Sequence, residues 1–208
     1  MASWCPIICA IFAVFLCMSL PGAEIARLTT EGGPVELTTQ WLYFVMAAVF
    51  AFGARLGGSA KTRAALVVMM LAFGAREMDL HRYWAGKSVL KVSFYLGDGP
   101  AHQKVVALAL LATVALALVT LLRRHGVEVW RGFRVGHPVS TTAVIFVVTM
   151  VIAKILDRSV NTLAEDFGVR TPPSIRGLVS TLEEIMELSP PVVAAIGWWQ
   201  VNRSRPLD

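Results

Sequence analysis

The chain has 208 residues, of which 56% are apolar and only 16% charged, with a formal net charge of +5 and a mean hydropathy of +0.63. Soluble domains of this length carry more charge, so the composition excludes one, along with disorder, collagen-like repeats and a disulfide-built secreted scaffold. It indicates an integral membrane protein. At about 20 apolar residues per crossing, there is room for about six spans and no sizeable soluble domain.

The first apolar run covers 6–20 and ends at Pro21-Gly22-Ala23. It lacks the basic start of a signal peptide and is expected to be a retained helix. Cys5, Cys9 and Cys17 lie in or beside it, with no CxxC or Cys/His spacing, and read as small buried hydrophobes. A second span is expected at 42–56, introduced by Thr38, Thr39, Gln40 and the interfacial Trp41. Further spans are expected at 64–84, 105–122, 141–157 and 178–201. Short polar connections make neighbouring spans antiparallel. The expectation is an all-α, polytopic bundle forming a single integral membrane domain over 1–208.

Between the spans, Gly86 to Leu96 interleaves lysines with Val89, Leu90, Val92, Phe94 and Leu96, and reads as an interfacial helix or re-entrant segment. Asn161 to Ile175 reads as an extramembrane loop, and Arg123-Arg124-His125 with Arg131 to Arg134 as a basic cytoplasmic one. The small residues Ala107, Ala109, Ala112, Ala115 and Ala117 suggest close helix packing. No internal repeat is visible, so an inverted-repeat transporter has no support in the sequence.

Basic residues near the span ends set orientation. One side collects Arg55, Lys61, Arg63, Arg123, Arg124, Arg131, Arg134, Arg203 and Arg205, with only Glu128 and Asp208 as acids. That side is expected to be cytoplasmic, which puts the C-terminus inside an inner (plasma) membrane. Arg27, Lys87, Lys91, Lys104, Arg158, Arg170 and Arg176 fall opposite.

The third span carries the strongest polar signal. Ala64 to Ala75 gives about 18 Å of helix against roughly 30 Å of hydrocarbon before REMDLHRYW begins. Arg76, Glu77, Asp79 and His81 are therefore expected within the outer half of the membrane, unless the helix stops early. The fifth span brings Lys154, Asp157 and Arg158 to a similar depth, and the sixth brings Glu183, Glu184 and Glu187. Glu36 flanks the second span on the same side. Charged groups at such depth are costly in lipid and are expected to face protein or water. Glu77 and His81 share a helix face at i,i+4, and the three glutamates of the sixth span fall within about a 100° arc. Ser189-Pro190-Pro191 follows, where a kink should free backbone carbonyls.

The leading expectation is a metal-dependent intramembrane hydrolase acting on a lipid or lipid-linked substrate. Glu77, His81, Glu183 and Glu187 would hold one divalent zinc, iron or manganese ion. Glu184 or Asp79 would serve as general base and Lys154, with Arg76, would stabilise the oxyanion. The alternative is a proton- or cation-coupled carrier or channel subunit using the same residues without metal. A second alternative is a structural subunit with buried ion pairs such as Arg76–Asp79 and Lys154–Asp157. The expected partners are membrane lipid and other membrane subunits or a second copy, without nucleic acid.

Overall fold

In a computed structural model of the chain, the residues described are 2–30, 32–53, 59–86, 88–89, 91–97, 99–165, 167–168 and 171–203. The basic residues Arg55, Lys87, Arg170 and Arg205, the acid Asp208 and the expected end of the second span at 54–56 lie outside this set, as do the side chains of His81 and Arg82. Every regular element described is an α-helix: α1 Trp4–Ser19, α2 Gly22–Thr29, α3 Pro34–Phe52, α4 Ala60–Glu77, α5 Leu80–Ala85, α6 Val92–Leu96, α7 Ala101–Arg134, α8 Pro138–Glu165 and α9 Pro173–Arg203. Three stretches are long and apolar enough to cross a membrane: Gly22–Phe52, which comprises α2 and α3, Ala101–Arg134, and Pro138–Val160. Helices of that length and apolarity mark a membrane protein.

Proline and glycine set the boundaries. Helices α3, α8 and α9 each begin on a proline, at the one helical position where a missing N–H and a fixed φ cost nothing. Helix α7 ends in a Schellman motif: His137 N–H donates to Gly132 O (2.8 Å), and Gly136 N–H to Phe133 O (3.0 Å). Gly136 takes φ +74°, which a side chain disfavours, and Pro138 starts α8 two residues later. The tight link brings Ser140 of α8 against Gly132 of α7.

The chain divides into two compact units, Met1–Leu42 with Glu128–Asp208, and Tyr43–Val127. In the first, α8 packs along α9, α1 lies against α9, and α2 touches both α1 and α9. The α8–α9 seam is built from small and hydroxylated residues. Thr142, Thr149 and Ala153 of α8 and Thr181, Ser189 and Val193 of α9 are all buried, and Gly197 leaves room for the Thr142 methyl, 3.3 Å from where a Cβ would stand. Thr142 donates its hydroxyl across the seam to Gln200 Oε1 (2.8 Å). Such an interhelical bond contributes only about 0.6 kcal/mol in a membrane, so close packing of small residues carries the association.

In the second unit, Gly74 of α4 admits the Phe44 ring of α3, whose nearest carbon would lie 3.2 Å from a Cβ, and Tyr43 and Phe73 stack with centroids 5.7 Å apart. Ser59 caps α4 by accepting from Thr62 N–H and also receives a hydrogen bond from Arg124. Thr62 Oγ1 and His125 Nε2 are bonded at 3.0 Å. Val89, Phe94 and Ala107 form a small core that Tyr95 flanks.

Several expected boundaries move. Helix α7 has 34 residues, about 51 Å of rise against roughly 30 Å of hydrocarbon. Arg123, Arg124, His125, Arg131 and Arg134 therefore stand on a helix instead of in a loop. Only 11% of its apolar window is buried. Ala107 and Ala117 pack, whereas Ala109, Ala112 and Ala115 are exposed, so the alanine run is less of an interface than its composition suggests. Helix α8 continues to Glu165, which shortens the expected 161–175 loop. The segment around Gly86 to Leu96 contains the short helix α6.

Gly136→Ala forces a Cβ into left-handed backbone and is expected to destabilise the protein by about 1–2 kcal/mol, read as a lower thermal midpoint in detergent.

Candidate functional site

Helix α4 does stop early, and this decides where its polar residues stand. After Glu77, Met78 and Asp79 form a turn, with Asp79 N–H donating to Arg76 O (3.0 Å), and α5 starts at Leu80. Asp79 has φ +46°, a conformation that aspartate tolerates better than a branched or bulky residue. Its backbone thus makes the corner between α4 and α5. Arg76 and Glu77 form an ion pair at 3.4 Å, with the Glu77 carboxylate only 6% exposed. A buried carboxylate needs such a partner, and the cation at the end of α4 also suits the helix dipole. His81 lies on α5, its side chain outside the described part of the structure.

In the other unit, Lys154 and Asp157 are paired along α8 at i,i+3. Lys154 is 46% exposed and stands with Val151, Ile155 and Arg158 on the outer flank of α8, away from the Thr142–Thr149–Ala153 face that meets α9. The base expected to stabilise charge in an enclosed chamber is therefore held by its own helix on an exposed surface. An open groove of about 550 Å³ between α1, α8 and α9 is lined by Ile7, Val148, Ile152, Leu182, Met186 and other mainly apolar side chains.

Glu36 has a local task. Its Oε2 accepts from Gly32 N–H (2.6 Å), and its Oε1 accepts from Gln40 Nε2 (2.8 Å). A glutamate in the first turn of α3 thus reaches back to the amide of Gly32, two residues before the helix starts.

Helix α9 holds the remaining acids. Thr181, Ile185, Ser189 and Val193 are buried against the neighbouring helices, while Glu183, Glu184 and Glu187 lie half-buried on the adjoining side. Glu187 is near the middle of this 31-residue helix. The helix continues through Pro190 and Pro191, both fully buried. These prolines have no N–H, so the carbonyls of Met186 and Glu187 lose their usual donors four residues on. Pro190 follows Glu187 by three residues and Glu183 by seven, placing the break on the carboxylate stripe. Three carboxylates and these two carbonyls thus fall within about two turns of one helix along the sequence.

The expected metal set divides between the units, with Glu77 and His81 in one and Glu183 and Glu187 in the other. Among the described residues, no group of three or more His, Cys, Asp and Glu is arranged to hold a metal ion. The fold defines an all-helical protein with three stretches apolar enough to span a membrane. No protein-family model, curated protein or solved structure matches the chain.

Glu36→Ala removes both local acceptors and is expected to cost about 1 kcal/mol of stability. Thermal unfolding should show that loss, and any turnover or flux per folded molecule should remain that of the parent; a large functional loss at unchanged stability would return Glu36 to the site.

Proposed function

We propose that the protein is a proton- or cation-coupled carrier or channel subunit of the inner membrane, with six spans and a cytoplasmic C-terminus. Its ion-handling element is α9. The observation that carries this reading is the coincidence of Glu183, Glu184 and Glu187 with the Pro190-Pro191 break on one stripe of one buried helix. Carboxylates within a spanning segment are costly unless they serve a proton or cation, and a proline-broken helix adds carbonyl oxygens to the same place. Oxygen donors without nitrogen or sulfur suit protons and hard cations. Glu187, in mid-helix, is assigned as the principal carrier of the exchanged charge, with Glu183 one turn before it.

Arg76 is paired with Glu77, and Lys154 with Asp157, each on its own helix.

The test is flux in liposomes containing purified full-length protein. A pH gradient should drive a cation or proton flux that falls about tenfold or more in Glu187→Gln, and less in Glu183→Gln, with the folded fraction unchanged. Flux indifferent to both substitutions would overturn the proposal. So would stoichiometric zinc, iron or manganese in the purified protein together with lipid-ester hydrolysis that both substitutions abolish, which would establish a metal-dependent hydrolase instead.

A further inference from the structure

The cysteines of α1 gain a neighbour that their spacing does not reveal. Cys5 and Cys9 lie one turn apart at i,i+4, and their thiols are in hydrogen-bonding contact. Both are free and half-buried. From α9, the fully buried Ser189 donates its hydroxyl to Cys5 Sγ at 3.5 Å. Ser189 immediately precedes the proline pair, and α1 packs against α9, so the buried hydroxyl reaches Cys5 from α9 while Cys9 stands beside Cys5 one turn on.

We infer that Cys5 and Cys9 form a two-coordinate site for a soft monovalent cation of the copper(I) class, with Ser189 as the donor that orients and stabilises the Cys5 sulfur. Thiolate sulfur selects soft ions over the hard cations that carboxylates take. Two ligands suffice for such an ion, so the site needs no third His, Cys, Asp or Glu. Binding is balanced without any oxidant or reductant: one monovalent cation replaces two thiol protons, forms two metal–sulfur bonds and leaves one net negative charge. That charge arises in the first turns of α1, where the exposed N–H groups of the helix start favour an anion, and the Ser189 hydroxyl supplies a further hydrogen bond. Cys17, two turns beyond Cys9 on α1, provides an internal control. The assignment is independent of the α9 carboxylates.

The experiment is anaerobic titration of the full-length protein in detergent with copper(I), in competition with a chromophoric copper(I) chelator. One ion per chain is expected, held more than about a hundredfold tighter than by Cys5→Ser or Cys9→Ser. Ser189→Ala should weaken binding by about tenfold, as removal of an outer-shell partner does, and Cys17→Ser should leave it unchanged. Cys9→Met, which retains a sulfur ligand on a longer, uncharged side chain, should keep a measurable part of the affinity. Each variant's thermal midpoint reports folding separately. Copper(I) held equally by the Cys5→Ser/Cys9→Ser double variant, or lost on Cys17→Ser, would overturn the assignment.

Discussion

A bilayer offers no water to satisfy a polar group, so each backbone or side-chain dipole within it must find its partner inside the chain. That requirement organises what is seen here. The described elements are helices, which close their own hydrogen bonds, and several of the hydroxyls on them turn back onto the helix that bears them. Thr39 donates to Val35 O, Thr113 to Ala109 O, Thr120 to Leu116 O and Thr181 to Gly177 O. Threonine thereby becomes compatible with apolar surroundings at little cost. Where α7 ends, the left-handed Gly136 lets the amides of Gly136 and His137 cap the carbonyls of Phe133 and Gly132, and Pro138 starts α8.

The same requirement acts more severely on charge. The structure answers it locally: Arg76 beside Glu77, Lys154 beside Asp157, and Glu36 on the amide of Gly32 and the side chain of Gln40. In each case the compensating group is four residues away or nearer. The α9 glutamates differ in context, standing where two prolines strip hydrogen bonds from the backbone.

Association between helices then rests on shape. In lipid there is little hydrophobic gain in bringing two apolar helices together, and close approach of small residues replaces it. The α8–α9 seam likewise rests on close approach, with Gly197 admitting Thr142 and with threonine and alanine among its buried residues. Helix α7 illustrates the opposite case, an apolar rod with leucines and valines such as Leu108, Leu110 and Leu116 facing outward. Exposed apolar side chains on a spanning segment are its solvent contact, as lysines are in water.

Composition and periodicity alone determined the helical class and three of the six expected apolar stretches, because hydropathy summed over a whole span is insensitive to what surrounds it. The Lys154–Asp157 pair was equally readable, since two residues one turn apart meet whatever the tertiary structure. The corner at Asp79, the length of α7 and the outward position of Lys154 were not, because each depends on where a helix stops or which side meets a neighbour. Residues far apart in the chain met only through packing: Ser189 reaches Cys5 because α1 lies along α9, and Gln200 reaches Thr142 because α8 does. Helical spacing specifies what shares a face within one segment; the choice of face opposite it belongs to the fit of small side chains between segments.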